Sequence, residues 1–267
     1  PKTISEYREP FIGGGSIAID VTKSNPDIPI WINDLYVPLY NFWVQLRDRG
    51  EELSERVNEE KQKTLDEGDK DKITASAKAL FNKYKEEIDT YDDFEKAVAF
   101  FIMNKCSFSG LTENSTFSQT ASNSNFSLVG ADKLKEFSKL IQHWKITNID
   151  YSEVMSADGS DSTFVFLDPP YDIKDFLYGK NREMHKSFDH NLFAENVYKC
   201  KYNFMITYNV NHRLMQLYSN YELNFWNLRY SMAHRGEKGT EDNVKQELLI
   251  TNYNINPVTP IEELLTT

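Results

Sequence analysis

Asp168-Pro169-Pro170-Tyr171 is the segment whose residue types could most directly do chemistry. It follows Thr163–Leu167, a five-residue apolar run that reads as a buried strand. An acid delivered to the carboxyl end of such a strand lies where ligands bind in α/β folds. Two successive prolines fix φ and remove two backbone donors, so the local carbonyls face outward as acceptors. Tyr171 adds a flat ring for stacking. Together these groups could hold a planar exocyclic amine, with one N–H on Asp168, the other on the carbonyl of Pro169, and the ring system against Tyr171. A sharp strand exit with a surface aspartate accounts for one or two of these residues, less readily for all four.

A second constellation lies near the start. Gly13-Gly14-Gly15 follows the strand-like Tyr7–Ile12, and glycines there let a backbone approach a ligand closely. The third glycine of the dinucleotide pattern G-x-G-x-x-G is missing. Asp34 ends the next strand, Ile30–Ile32, where an acid can hydrogen-bond a ribose hydroxyl pair. A tight turn followed by a helix-capping aspartate explains the same residues equally well.

The elements that must position these groups alternate. Strand, Gly-rich turn, helix from Ile17, and strand form one right-handed βαβ unit. From Val37 to about Ile88 the pattern is helical and highly charged, with a break expected at Gly68-Asp69. Phe94–Ile102 marks another amphipathic helix. Residues 106–127 are rich in Ser, Thr and Asn and read as an extended or looping insertion. Helix Ala131–His143, strand Lys145–Ile149, strand Thr163–Leu167, helix Leu192–Lys199 and strand Phe204–Tyr208 follow. Two more strands are expected near Glu222–Tyr230 and Glu247–Asn252. The expectation is a mostly parallel α/β sheet, with the helical and polar stretch from about 40 to 130 inserted as a separate small domain.

The chain has 267 residues, 40% hydrophobic and 13% aromatic, enough to bury a core and to exclude disorder throughout. Net charge is −11, unlike the basic footprint of most nucleic-acid binders. Charge is segregated, however. Residues 47–96 carry 11 basic and 16 acidic side chains, whereas residues 174–245 carry 11 basic and 8 acidic ones. One face could therefore attract phosphate, with Lys105, Arg229, Arg235 and Lys238 as candidate contacts; an ordinary mixed surface fits the same count. Cys106 and Cys200 cannot staple a scaffold or build a structural zinc site. His185 and His190 lack partners for a ligand set, so no metal is expected. No apolar run is long enough to span a membrane and no signal peptide is seen, so an intracellular setting is expected.

On these residues the chain resembles the Dam-like DNA adenine-N6 methyltransferases, which use S-adenosylmethionine. Glu9-Pro10-Phe11-Ile12-Gly13-Gly14-Gly15-Ser16 is similar to that family's cofactor motif, Asn33-Asp34 to its ribose-binding acid, and Asp168–Tyr171 to its catalytic motif. Asp150-Tyr151 stands where the family holds the cofactor's adenine. Asn104-Lys105 with Ser109-Gly110-Leu111 resembles a DNA-contacting segment; Phe188-Asp189-His190 and Glu247–Tyr253 also fit. The resemblance implies a Rossmann-like, mostly parallel seven-stranded methyltransferase sheet with an inserted, mainly helical target-recognition domain. It implies a catalytic S-adenosylmethionine-binding domain from 1–38 and 131–267, and a DNA-recognition domain from 39–130. Cofactor contacts would come from Glu9, Pro10, Phe11, Gly13, Gly15, Asp34, Asp150, Tyr151 and Asp168, and catalysis from Asp168, Pro169, Pro170 and Tyr171, without a metal. Double-stranded DNA is the implied partner, a cognate restriction enzyme is left open, and the implied location is the cytoplasm of a bacterial cell or phage-infected host. Cytosine-N4, RNA or protein amine methylation on the same fold, or an inactive DNA-binding relative, are the alternatives. Two departures stand out. The family's short Gly-Lys motif would lie upstream of Pro1, so a longer N-terminus is expected. Thr112-Glu113 follows Leu111 where relatives often carry Arg, so no sequence preference carries over.

Overall fold

The structure, a computed structural model, describes residues 3–107, 116–171, 188–229 and 244–255. Its strands are β1 (Glu6–Glu9), β2 (Ile30–Asn33), β3 (Lys145–Thr147), β4 (Thr163–Leu167), β5 (Asn203–Asn209), β6 (Glu222–Arg229) and β7 (Val244–Thr251). They form one seven-stranded sheet in the order β3-β2-β1-β4-β5-β7-β6. The first five neighbours pair in parallel; β7 runs antiparallel between β5 and β6. The helices are α1 (Ser16–Ser24), α2 (Val37–Leu65), α3 (Lys70–Glu87), α4 (Asp93–Cys106), α5 (Gln119–Asn125), α6 (Leu128–Leu140), α7 (Tyr151–Ser156), α8 (His190–Lys199) and α9 (His212–Leu217). The expected mostly parallel sheet is thus present, with its last strand reversed.

Strands buried on both faces read as continuous apolar runs, and every residue of β2 and β4 is buried. Alternate residues of β4 serve opposite faces, as the two-residue period of a strand requires. Phe164 and Phe166 join a cluster with Tyr7, Ile30 and Ile32 of the sheet, Phe42, Trp43 and Leu46 of α2, Ile102 of α4 and Leu134 of α6. Val165 and Leu167 join the other, with Phe193 and Val197 of α8, Leu214 of α9, and Leu248 and Ile250 of β7. The helices between residues 37 and 140 therefore share one continuous apolar cluster with one face of the sheet.

Local chemistry sets the boundaries. β1 stops at Glu9 rather than running to Ile12, because Pro10 has no N–H for the ladder. The chain leaves the sheet there, and Ile12 N–H bonds the Asn33 carbonyl at 3.0 Å. The break at Gly68 is as expected: its φ is 73°, and Asp69 caps α3 by accepting from the N–H groups of Asp71 at 3.0 Å and Lys72 at 3.3 Å. α2 itself bends at Arg49 (φ −137°, ψ 34°). The next residue, Gly50, meets α6 so closely that a Cβ there would lie 2.2 Å from Ser138 Cβ.

The stretch 106–127 is not wholly a loop. Its second half folds as α5, capped by Ser118, whose Oγ accepts from Ala121 N–H at 3.2 Å. Phe126 is buried at its end, which anchors this polar helix to the core. Two further short helices, α7 and α9, begin at the caps Asp150 and Asn211. Among the described residues no helix is long and apolar enough to cross a membrane.

Candidate active site

The chain builds β1, β2 and β3 outward on one side and resumes at β4 on the other, so the strand order reverses between β1 and β4. At such a switch point a crevice opens beyond the carboxyl ends of the strands. Register places Arg8 beside Val165 and Glu9 beside Ile32. Asp34 and Asp168 thus leave the two strands that flank β1, immediately beyond Pro10, with neighbouring strands about 4.8 Å apart.

Electrostatics agree with that placement. Glu9 is buried, and its carboxyl is pushed up to about 8, first by burial and then by the charges of Asp168 and Asp34. The Tyr7 hydroxyl, donating to Glu9 Oε2 at 2.6 Å, opposes the rise. Burial raises Asp34 to about 6, against the pull of backbone N–H groups of Tyr36 and Gly13. Asp168 remains accessible at the rim. The protein packed around its carboxyl still raises its pKa, Thr207 lowers it by hydrogen bonding, and the Glu247 charge raises it. Three acidic groups with raised pKa values thus lie at the ends of β2, β1 and β4, with Glu9 feeling the charges of the other two, an arrangement that a cation would relieve.

The Gly-rich turn is built around Asp34 and Trp43. Gly13 (φ 47°) donates its N–H to Asp34 Oδ2 at 3.3 Å, while Trp43 Nε1 donates to the Gly13 carbonyl at 3.3 Å. Gly15 (φ 70°) caps α1, and a Cβ on it would lie 2.5 Å from Trp43 Cζ2. Both the left-handed backbone and the indole demand glycine there. Asp34 Oδ1 accepts from Tyr36 N–H at 2.9 Å. Each Asp34 oxygen has acceptor capacity for a further hydrogen bond.

Asn33, read from the sequence only as the neighbour of an acid, is the hub of this edge. Its Nδ2 donates to the carbonyls of Pro10 at 3.1 Å and Ile149 at 3.0 Å. Its Oδ1 accepts from Thr147 Oγ1 at 2.8 Å and Ile149 N–H at 3.0 Å. The ends of β1 and β3 are therefore tied through one buried side chain, which brings Asp150-Tyr151 beside the turn. Asp150 caps α7, accepting from Ser152 N–H at 2.9 Å. The Tyr151 ring lies 5.4 Å from Phe11, 5.7 Å from Phe188 and 5.3 Å from Phe193, an aromatic wall beside the glycines. Behind it, the buried Arg8 guanidinium donates to the carbonyls of Val154, Ala157 and Asp158 at 2.7–2.9 Å and pairs with Glu6 at 2.7 Å. Arg8 thereby satisfies orphan carbonyls at the end of α7 and locks that helix to β1.

The Asp168–Tyr171 segment is held from β5 and β7. Thr207 Oγ1 donates to Asp168 Oδ1 at 2.5 Å and lies 3.4 Å from the Leu167 carbonyl. Tyr171 OH donates to Glu247 Oε2 at 3.2 Å, and its ring is 6.2 Å from that of Tyr208. Pro169 is buried and Pro170 half-buried. Sequence reading missed Thr207; the available signal was a hydroxyl inside an otherwise apolar and aromatic run, on the strand next to the one that carries Asp168. His190 is buried, with Nδ1 3.0 Å from Tyr208 OH.

The expected cofactor residues Glu9, Pro10, Phe11, Gly13, Gly15, Asp34, Asp150, Tyr151 and Asp168 accordingly gather at one edge of the sheet. Of the candidate DNA contacts, Asn104 and Lys105 lie in the last turn of α4. Lys105 Nζ sits 5.4 Å from the Phe101 ring centroid, its pKa drawn down by burial. Arg229 ends β6, which runs in the same sense as β5 and so points its end toward the same edge. Ser109, Gly110, Leu111, Thr112, Glu113, His185, Arg235 and Lys238 lie outside the described residues. Cys106 is buried, Cys200 is half-buried, and both are free thiols. Among the described residues no three His, Cys, Asp or Glu side chains are grouped to hold a metal ion.

The geometry offers a cation-favouring acid cluster, a carboxylate beside a glycine turn, an aromatic wall, and an accessible carboxylate next to a proline carbonyl. Residues 1–232 match the family model described as D12 class N6 adenine-specific DNA methyltransferase. The chain is 25% identical over 174 residues to the Type II methyltransferase M.MjaIII of Methanocaldococcus jannaschii, covering 63% of this chain and 59% of that protein. It is 24% identical over 177 residues to the Type II methyltransferase M1.LlaDCHI of Lactococcus lactis subsp. cremoris, covering 64% of this chain and 58% of that protein. It thus spans less than two thirds of the length of either relative.

Proposed function

Since this chain belongs to the D12 class N6 adenine-specific DNA methyltransferase family, we propose that it methylates N6 of an adenine flipped out of double-stranded DNA, with S-adenosylmethionine as donor. The observation that carries this reading is the convergence of Glu9, Asp34 and Asp168 at the switch point between β1 and β4. The donor set suits that cofactor. The acid cluster complements a cationic ligand, the carboxylate of Asp34 suits a ribose hydroxyl pair, and the wall of Phe11 and Tyr151 suits a purine. Asp150 stands exposed at the head of α7, with Oδ1 engaged in the cap. When bound, S-adenosylmethionine supplies an electrophilic methyl group.

The chain's own residues then do the rest. Adenine N6 is a poor nucleophile because its lone pair is delocalised into the ring. Asp168 and the Pro169 carbonyl accept hydrogen bonds from its two protons, draw the nitrogen toward a tetrahedral shape and aim the lone pair at the methyl. Positioning of this kind lowers a barrier by up to about 7–11 kcal/mol. An ionised Asp168 also stabilises the positive charge that develops on the amine, and it is placed to receive the proton that leaves. Extruding the base costs a few kcal/mol of unstacking, offset in part by the Tyr171 ring. No step calls on a metal.

In this reading residues 1–38 and 131–267 form the catalytic part, and the helices of 39–130 serve target recognition. Asn104, Lys105, Arg229, Arg235 and Lys238 are the candidate contacts to DNA. A cognate restriction enzyme reading the same site is the partner to which the proposal extends, and the cytoplasm is its setting. The test is transfer of a labelled methyl group to duplex DNA by the wild type and by Asp168→Ala, with cofactor affinity measured in parallel. Methylation lost with cofactor binding still measurable is the expected result. Unchanged turnover in Asp168→Ala, or label incorporated equally into a duplex without adenine, would overturn the reading.

A further inference from the structure

Prolines at 169 and 170 leave two consecutive residues without backbone donors, so main-chain hydrogen bonds cannot anchor the segment in the usual way. Its two ends are instead fastened by side chains from different strands. Thr207 of β5 donates to Asp168 Oδ1 at 2.5 Å, and Glu247 of β7 accepts from Tyr171 OH at 3.2 Å. Both anchors are built into the sheet. Thr207 lies between the buried Ile206 and Tyr208, paired with Leu249 of β7, and Glu247 is itself buried opposite Asn209. We infer that Thr207 and Glu247 are positioning residues that clamp the Asp168–Tyr171 segment at both ends, Thr207 committing Oδ1 of Asp168 so that Oδ2 is the oxygen presented to the target amine. The inference rests on the proposed methyl transfer and names residues that act through Asp168 and Tyr171.

The two anchors act on Asp168 with opposite sign. A hydroxyl donating to a carboxylate favours its ionised form; a second carboxylate nearby disfavours it. Among the described residues, the charged or titratable groups that act on Asp168 are Glu247 from β7 and Glu9 from β1, and the hydroxyl of Thr207 comes from β5. Thr207→Val removes the hydroxyl at nearly constant shape, so the acid limb of the pH–kcat profile moves to higher pH. Glu247→Gln removes a charge while its amide oxygen still accepts from Tyr171, so the limb moves to lower pH. A merely structural role for either residue would lower activity at every pH alike.

The experiment measures pH–kcat profiles on duplex DNA, and S-adenosylmethionine affinity by calorimetry, for the wild type, Thr207→Val, Thr207→Ser, Glu247→Gln and Asp168→Ala. Expected for Thr207→Val is a fall in kcat near neutral pH on the order of 100-fold, the cost of a carboxylate displaced by about 1 Å, with cofactor affinity nearly unchanged. Thr207→Ser, which restores the donor, should recover most of the rate and the position of the acid limb. If Thr207→Val keeps wild-type kcat and acid limb while Asp168→Ala is inactive, the clamp is wrong and the methyl-transfer reading stands. If Asp168→Ala itself turns over normally, that reading fails first. A Thr207→Val that loses cofactor binding, with no recovery in Thr207→Ser, also overturns the inference, because the residue then serves the fold alone.

Discussion

Glu9→Gln isolates the most strongly perturbed carboxyl group of the crevice. Glu9 accepts from Tyr7 OH and from the backbone N–H of Ala18, and glutamine can accept the same bonds through its amide oxygen without carrying a charge. In the wild type the Glu9 pKa is about 8 when folded and 4.5 when free in an unfolded chain. The folded state therefore holds this proton more tightly than the unfolded state does. The associated stability is fully present below pH 4.5 and is lost as pH rises through 8. At 1.36 kcal/mol per tenfold change in the proton equilibrium, the whole window is worth on the order of 4–5 kcal/mol, and the interval from pH 5 to pH 8 about 3–4 kcal/mol. Urea unfolding at pH 5, 6.5 and 8 measures this. Wild-type stability should drop relative to Glu9→Gln by that amount across the interval, because the introduced amide does not titrate. Asp34 and Asp168 titrate in both proteins, and their contribution largely cancels in the difference. Parallel stability curves for the two proteins would refute the argument, since Glu9 would then be ionised at neutral pH and the acid cluster would not exist as described.

Two other outcomes follow from the same physics. Binding of S-adenosylmethionine at pH 7 should release protons, because a cation placed against Glu9 (about 8) and Asp34 (about 6) lowers both values. Calorimetry in two buffers of different ionisation enthalpy reads the effect as different heats, and identical heats would count against a cation at this edge. Gly50→Ala should destabilise the fold by about 1–3 kcal/mol, because its Cβ would lie 2.2 Å from Ser138 Cβ and force α2 and α6 apart. Pairing it with Ser138→Gly should recover much of the loss in a thermal melt, and additive losses would show that the two helices do not meet there.

The parts of this molecule that were legible in the sequence are those whose determinants are local. Thr163–Leu167 was read to the residue because an apolar run is bounded by Ser162 and by Asp168-Pro169. The break at Gly68-Asp69 was visible because a glycine and a capping acid stand together. The early end of β1 was also written in Pro10, but the apolar Phe11-Ile12 beyond it read as more strand. α5 escaped because its composition is that of a loop; Ser118 and the burial of Phe126 make it a helix. α7 and α9 are six residues each, too short for a period to show. Functional side chains divide the same way. Asp168, Asp34 and the glycines announce themselves by type and spacing. Asn33 matters through carbonyls of Pro10 and Ile149, and Thr207 through Asp168, partners set by sheet order and register.

The place of β7 has a consequence for how the chain reaches its working form. β6 emerges from the ribosome before β7, yet β7 is the strand that separates β6 from β5. Until residues 244–251 are available, β5 is an unpaired sheet edge and β6 has no neighbour to join. Glu247, which takes the Tyr171 hydroxyl, arrives on the same strand. A nascent polypeptide halted short of it lacks the far anchor of the Asp168–Tyr171 segment. Completion of the crevice therefore waits on the strand that follows β6.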